Sequence, residues 1–229
     1  MEPSGSWAPP PAGVAVPWAR IEASLRLPQR WPDPFRLAGR VAESPRRAAV
    51  AVLLRGTALG AEEVVLVQRG ATAPHHPGEL AFPGGMCEPW DRDLPATARR
   101  ELMEELGVSE GLWEMGCFPD GVAKARTRFT PVFLRWEEPA PRFVLSSEIQ
   151  DVLRLPLAPL LEAPWTLQRL ELRGAVVHVP RLELEPVPLW GATALVLKSW
   201  LDVLSSVRNP PGADTLDGAR APLPTKADP

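Results

Sequence analysis

Apolar positions recur along the middle of the chain with two different periods. Leu94, Ala98, Leu102 and Leu106 are spaced four residues apart, the repeat that lines one face of an α-helix and docks it on a sheet. Asp93 is a good N-cap for that helix, Pro95 is tolerated in its first turn, and Gly107 suits its C-terminal cap. Ala48–Leu54 and Glu63–Gln68 are short apolar runs that predict buried strands, with Arg55–Gly60 as the hairpin loop between them. Trp113–Phe118 and Phe129–Trp136 alternate well enough for two more strands, separated by a polar loop at Asp120–Arg128. Residues 166–184 predict a strand pair turning at Arg173-Gly174, and Gly191–Val207 a closing amphipathic helix. Ala19–Leu27 predicts a short helix ahead of an extended lead-in through Pro28, Pro32 and Pro34. Helices and strands in this order predict the α/β (α+β) class, with a mixed sheet between helices. There is no internal repeat.

Composition adds boundaries to this picture. The 229 residues fit one domain with tails: a Pro-rich N-terminal extension over 1–45, a folded domain over 46–207 and a flexible tail over 208–229. A hydrophobic content of 45% is enough for a substantial core. The net charge of -3 offers no long-range attraction to nucleic acid or to an anionic membrane. Cys87 and Cys117 form neither a CxxC pair nor a disulfide framework, which predicts a reducing compartment and two small packed residues rather than a nucleophile. No apolar stretch has spanning length and the N-terminus lacks a basic start with an apolar core, so the expected location is cytoplasmic, off the membrane.

The chemistry is concentrated on the predicted helix at Leu94–Leu106. Glu101, Glu104 and Glu105 stand at i, i+3 and i+4 and share one face, expected to be exposed. Like charges so close destabilise a helix unless a cation lies between them, and a hard divalent ion with oxygen ligands is the natural one. A merely solvated acidic face is the alternative. Gly84-Gly85, after a short strand ending at Phe82, lets the backbone turn tightly and aim a carbonyl at the helix. The loop at Asp120–Arg128 carries Lys124, Arg126 and Arg128, which either meet substrate phosphate or form a solvated basic loop.

Phe82-Pro83-Gly84-Gly85 followed by Arg100-Glu101-Leu102-Met103-Glu104-Glu105-Leu106-Gly107-Val108 resembles the Nudix box, the loop-helix signature of hydrolases that act on a nucleoside diphosphate linked to another group. Leu66–Gly70 and His76–Gly85 are similar to the additional motif of the coenzyme A diphosphatase branch, as are Ser147–Ile149 through Leu155–Leu157 and Leu189–Ala194. The resemblance spans roughly 46–206. Four positions depart from it. The acid that opens the box is Arg92, the branch motif's Leu-Arg is Ala73-Pro74, and its Ser is Gly70. In the family the missing acid braces the box arginine, here Arg100, and Glu88, Asp91 or Asp93 is available to substitute.

This resemblance implies an α/β/α sandwich and a metal-dependent enzyme using Mg2+ or Mn2+. Glu101 and Glu105 are then the principal ligands, Glu104 a third, and the Gly84 carbonyl a backbone ligand. Glu148 is the further acid, as ligand or base; its other reading is an ordinary glutamate starting a helix after Ser146-Ser147. Arg69 and His76 contact substrate phosphates or brace the loop, with bracing favoured for His76 beside the rigid Pro77-Gly78 turn, whereas His75 is expected to be exposed. Trp190 offers a stacking surface or simply packs. The implied reaction splits CoA or acyl-CoA at its pyrophosphate into adenosine 3',5'-bisphosphate and (acyl-)4'-phosphopantetheine. The alternatives are another nucleoside diphosphate-linked substrate (a dinucleotide, a sugar nucleotide or an oxidised nucleotide) and a module that binds nucleotide without turnover. The expected partner is a small molecule rather than nucleic acid, with a homodimer left open.

Overall fold

The computed structural model describes residues 18–27, 46–56, 62–71, 73, 76–122, 127–137, 142–172 and 175–207. The proline lead-in, the tip of the 55–60 loop, Arg173-Gly174, both expected tails beyond this range, and Pro74, His75, Lys124 and Arg126 lie outside it.

The central sheet is built on β1 (Arg47–Gly56). It pairs antiparallel with β2 (Glu62–Arg69) on one side and parallel with β7 (Arg128–Trp136) on the other. β3 (Leu80–Ala81) and β8 (Ile149–Pro156) pair with β2, while β5 (Leu112–Cys117) and β6 (Gly121–Val122) pair with β7. β4 (Gly84–Met86) lies antiparallel to the start of β1. A separate two-stranded sheet joins β9 (Thr166–Leu172) to β10 (Ala175–Arg181).

Because side chains alternate along a strand, β1 serves two cores at once. Ala49, Ala51 and Leu53 face α2 (Leu94–Leu106), meeting Ala98, Leu102 and Leu106. Ala48, Val52 and Leu54 face the other way, toward Leu197, Trp200 and Leu204 of α4 (Gly191–Ser206). Burial on both sides is why the strand reads as one continuous apolar run. α1 (Trp18–Arg26) and the short α3 (Leu157–Glu162) join α4 on its side. Ile21 of α1 is fully buried, and the Trp200 indole donates to Ser24 Oγ at 3.0 Å. The result is the expected α/β/α sandwich on a mixed sheet.

Two expectations are corrected. Residues 149–156, which the sequence pattern leaves unassigned, form β8, so Glu148 precedes a strand and not a helix. A register shift explains why the pattern is obscure: Gln68 pairs with Asp151 but Arg69 with Ile149, leaving Gln150 as a bulge that breaks the two-residue alternation. Cys117 is exposed rather than packed, although burial of its sulfur and the acids Glu114, Asp120 and Asp93 push the thiol upward, away from nucleophilic thiolate.

Candidate active site

Helix α2 is fixed at both ends by its own sequence. Asp93 Oδ1 accepts the Ala96 amide at 2.8 Å, and Gly107 adopts a left-handed conformation (φ 70°) from which its amide reaches the carbonyls of Leu102 and Met103. With the apolar stripe on the sheet, Glu101, Glu104 and Glu105 are carried toward the edge of the helix that overlooks β4 and the end of β2.

The three glutamates do not share one environment, which corrects the expectation of a uniformly exposed face. Glu104 is exposed, Glu101 is nearly covered, and Glu105 is buried. Glu105 Oε2 accepts the Gly84 amide at 3.2 Å and Oε1 lies 3.5 Å from Arg69 Nη1. Burial pushes its carboxyl up to about 7, against the opposing pull of Arg69. Burial raises Glu101 as well, with Arg100 acting in the other direction. The glycines leave room for this approach. A Cβ on Gly85 would lie 2.7 Å from the Glu101 carboxyl carbon, and one on Gly84 would lie 2.7 Å from Val50 Cα.

Arg100 organises the first two acids. Its Nη1 donates to Glu101 at 2.8 Å and to Glu104 at 2.9 Å, its Nη2 to the Met86 carbonyl at 2.8 Å, and Nε and Nη2 together grip Asp91. Of the three acids available to replace the one missing at Arg92, Asp91 is therefore the brace. Asp93 is spent on the helix cap, and Arg92 is a solvent-facing residue paired with Asp93.

Arg69 organises the rest. Its Nη2 donates to Glu148 Oε2 at 3.0 Å while Nη1 faces Glu105, so one guanidinium ties the helix to the start of β8. Glu148 thus joins the cluster, some forty residues after the helix, because β8 pairs with the strand that carries Arg69. In this arrangement Arg69 acts as a brace between carboxylates. His76 also braces locally, its Nδ1 lying 2.9 Å from Glu79 Oε2. Arg128 is paired with Asp120 at 2.7 Å. Trp190 stands at the N-terminus of α4.

With Glu101 and Glu104 turned onto Arg100 and Glu105 onto Arg69, no three His, Cys, Asp or Glu side chains among the described residues converge to hold a metal ion. The donor chemistry nevertheless fits a hard divalent cation: every donor is oxygen, and Glu105 is a desolvated carboxylate that gains most from a nearby positive charge. Each carboxylate has two oxygens, so it can offer one to an ion while the other stays on its arginine, as Glu101 Oε1 and Glu104 Oε2 do on Arg100. Sequence patterning missed the segment 142–146, whose Val144 and Ser146 amides reach the end of α2; no periodicity marks it.

Residues 45–173 match the model of the NUDIX domain. The peroxisomal coenzyme A diphosphatase ndx-8 of Caenorhabditis elegans is 33% identical over 153 residues, 65% of this chain and 64% of that protein. The mitochondrial coenzyme A diphosphatase NUDT8 of Homo sapiens is 31% identical over 137 residues, 57% of each chain, and that of Mus musculus 29% over 184 residues, 74% of this chain and 83% of the other. The chain thus spans less than two thirds of the length of the first two relatives. Among solved structures, a Nudix hydrolase from M. Smegmatis, RenU, aligns with a TM-score of 0.48 and 18% identity over 71% of this chain and 87% of the other.

Proposed function

We propose that this chain, which belongs to the Nudix family, hydrolyses the pyrophosphate of coenzyme A or acyl-CoA with Mg2+ or Mn2+, giving adenosine 3',5'-bisphosphate and (acyl-)4'-phosphopantetheine. The observation that carries the reading is the single cluster of Glu101, Glu104, Glu105 and Glu148 gathered around Arg69, Arg100 and the Gly84-Gly85 turn. The coenzyme A diphosphatase names of the relatives support the substrate.

In this reading Glu101 and Glu105 would hold the divalent ion, with Glu104 as a third ligand and the Gly84 carbonyl as a backbone oxygen. The ion, when bound, neutralises charge on the pyrophosphate oxygens. Glu148 is about half exposed, so it can meet an attacking water and take its proton. Arg69 holds that carboxylate at a fixed distance from Glu105, and Arg100, pinned by Asp91, fixes Glu101. The water oxygen bonds to one phosphorus as the bond from that phosphorus to the bridging oxygen breaks, and the other phosphate ester leaves with the bridging oxygen.

Another nucleoside diphosphate-linked substrate is the second reading, favoured by Ala73, a small buried residue where the branch motif has leucine. Purified protein incubated with CoA, a dinucleotide, a sugar nucleotide and an oxidised nucleotide, each with Mg2+ or Mn2+ and with an EDTA control, separates them by product chromatography. Adenosine 3',5'-bisphosphate from CoA supports the first reading, and cleavage of another member alone replaces it. A cytosolic location belongs to the same proposal; among the described residues no helix is long and apolar enough to cross a membrane. Cell fractionation tests that location against the peroxisomal and mitochondrial compartments in the relatives' names.

A further inference from the structure

The last carbonyls of a helix have no partner within it and must be satisfied from outside. In α2 two of them are answered by a segment far along the chain: the Val144 amide donates to the Leu106 carbonyl at 2.9 Å and the Ser146 amide to the Glu105 carbonyl at 3.0 Å. Val144 also lies over Gly107, where an added Cβ would come within 2.9 Å of the valine Cβ. Immediately after this contact the chain turns. The Ile149 amide returns to the Ser146 carbonyl at 3.2 Å, and Ser146 Oγ accepts the Glu148 amide in a longer bond of 3.4 Å. Glu148 is then held at its other side by the Gly70 amide on its carbonyl at 2.7 Å.

These contacts close a ring. Glu105 reaches Glu148 through its carboxylate and Arg69, and reaches it again through its carbonyl and Ser146. We infer that Ser146 is a positioning residue: its amide ties the turn to the Glu105 carbonyl, and its hydroxyl, by accepting the Glu148 amide, sets where the Glu148 carboxylate stands relative to the helix glutamates. This rests on the proposed role of Glu148 in hydrolysis and adds to it a residue that touches neither substrate nor ion. Serine suits the place because its amide and carbonyl build the turn while its small hydroxyl accepts the amide two residues on.

Two measurements test it. Ser146→Ala keeps the amide bond to Glu105 and removes only the hydroxyl, so on the full chain without metal it is expected to speed amide hydrogen exchange at Glu148 several-fold while Ser146 and the apolar core of α2 keep their protection. On CoA hydrolysis with Mg2+, Ser146→Ala is expected to lower kcat roughly three- to ten-fold with KM unchanged, and Ser146→Thr to restore it, by the usual scale of misplaced catalytic groups. In a Glu148→Gln background the Ser146→Ala loss is expected to vanish, since a residue acting through Glu148 has nothing left to position. Unchanged Glu148 exchange in Ser146→Ala overturns the inference, as does a kcat loss that persists in the Glu148→Gln background. Absence of CoA turnover in the unsubstituted chain removes the substrate reading instead, and the exchange result then decides alone.

Discussion

Arg100 holds Asp91 in a two-pronged grip, Nε to Oδ1 and Nη2 to Oδ2, each at 3.1 Å. The pair stands where the family pattern has an acid one residue later, at the position of Arg92. Asp91 also accepts the Glu88 amide and the Thr97 hydroxyl, both at 2.9 Å, so the loop before α2 is folded around one carboxylate.

Hydrogen bonding to Arg100, above all, holds the Asp91 carboxyl down at about 2. A depressed acid stabilises the fold above its ordinary value of 3.8, and that contribution is lost as pH falls through about 2. Asp91→Asn is expected to cost about 1–3 kcal/mol at neutral pH and to flatten the acid limb of a urea-unfolding series. It is also expected to lower kcat, because Arg100 no longer has a fixed anchor beside Glu101. Arg92→Glu is expected to change stability by less than about 0.5 kcal/mol. Equal stability and pH dependence for Asp91→Asn and the unsubstituted chain would refute the brace.

Glu105 titrates in the opposite sense. Burial raises it from 4.5 to about 7, so the folded state keeps a proton that the unfolded state has lost, and stability falls as pH rises across that interval. In the metal-free chain the penalty amounts to up to about 3 kcal/mol above neutrality. Glu105→Gln is expected to remove this slope and to melt no lower than the unsubstituted chain at pH 8, while lowering kcat about 100-fold or more. A thermal-melt series from pH 5 to 8 reads the first effect, and an unchanged slope in the variant counts against it.

Divalent binding must displace the proton that burial keeps on Glu105. Calorimetric titration with Mg2+ in buffers of different ionisation enthalpy is expected to show proton release below about pH 7 that disappears well above it. The same titration of Glu105→Gln is expected to show weaker binding and no release. Binding of Mg2+ to the variant as tight as to the unsubstituted chain would remove Glu105 from the ligand set.

Gly85→Ala places a methyl group against the Glu101 carboxylate. The side chain can rotate away at little cost in stability, but it then leaves its place beside Arg100 and the ion. Expected are a change of less than about 1 kcal/mol in unfolding free energy and a kcat loss of at least ten-fold. A stability loss with normal kcat would mean that the glycine serves only the turn.

The helix and its chemistry were legible in the sequence because they are local. The four-residue apolar step, the Asp93 and Gly107 caps and the three glutamates all lie within one short stretch, and geometry over such a distance follows from helical periodicity alone. The strands of β1, β2 and β7 were legible for the same reason, since burial on one or both faces leaves a mark on consecutive residues. Family resemblance added Arg69 and Glu148 as candidates without saying what either touches. Only the tertiary structure decided that Arg69 bridges Glu105 and Glu148, that Asp91 rather than Glu88 or Asp93 braces Arg100, and that the Glu105 carboxylate is buried while Glu104 stays in water. Those facts depend on strand register: the bulge at Gln150 and the pairing of β8 with β2 bring residues some eighty positions apart to hydrogen-bonding distance. Register is set by the summed burial of whole strands, and no single stretch of sequence carries it.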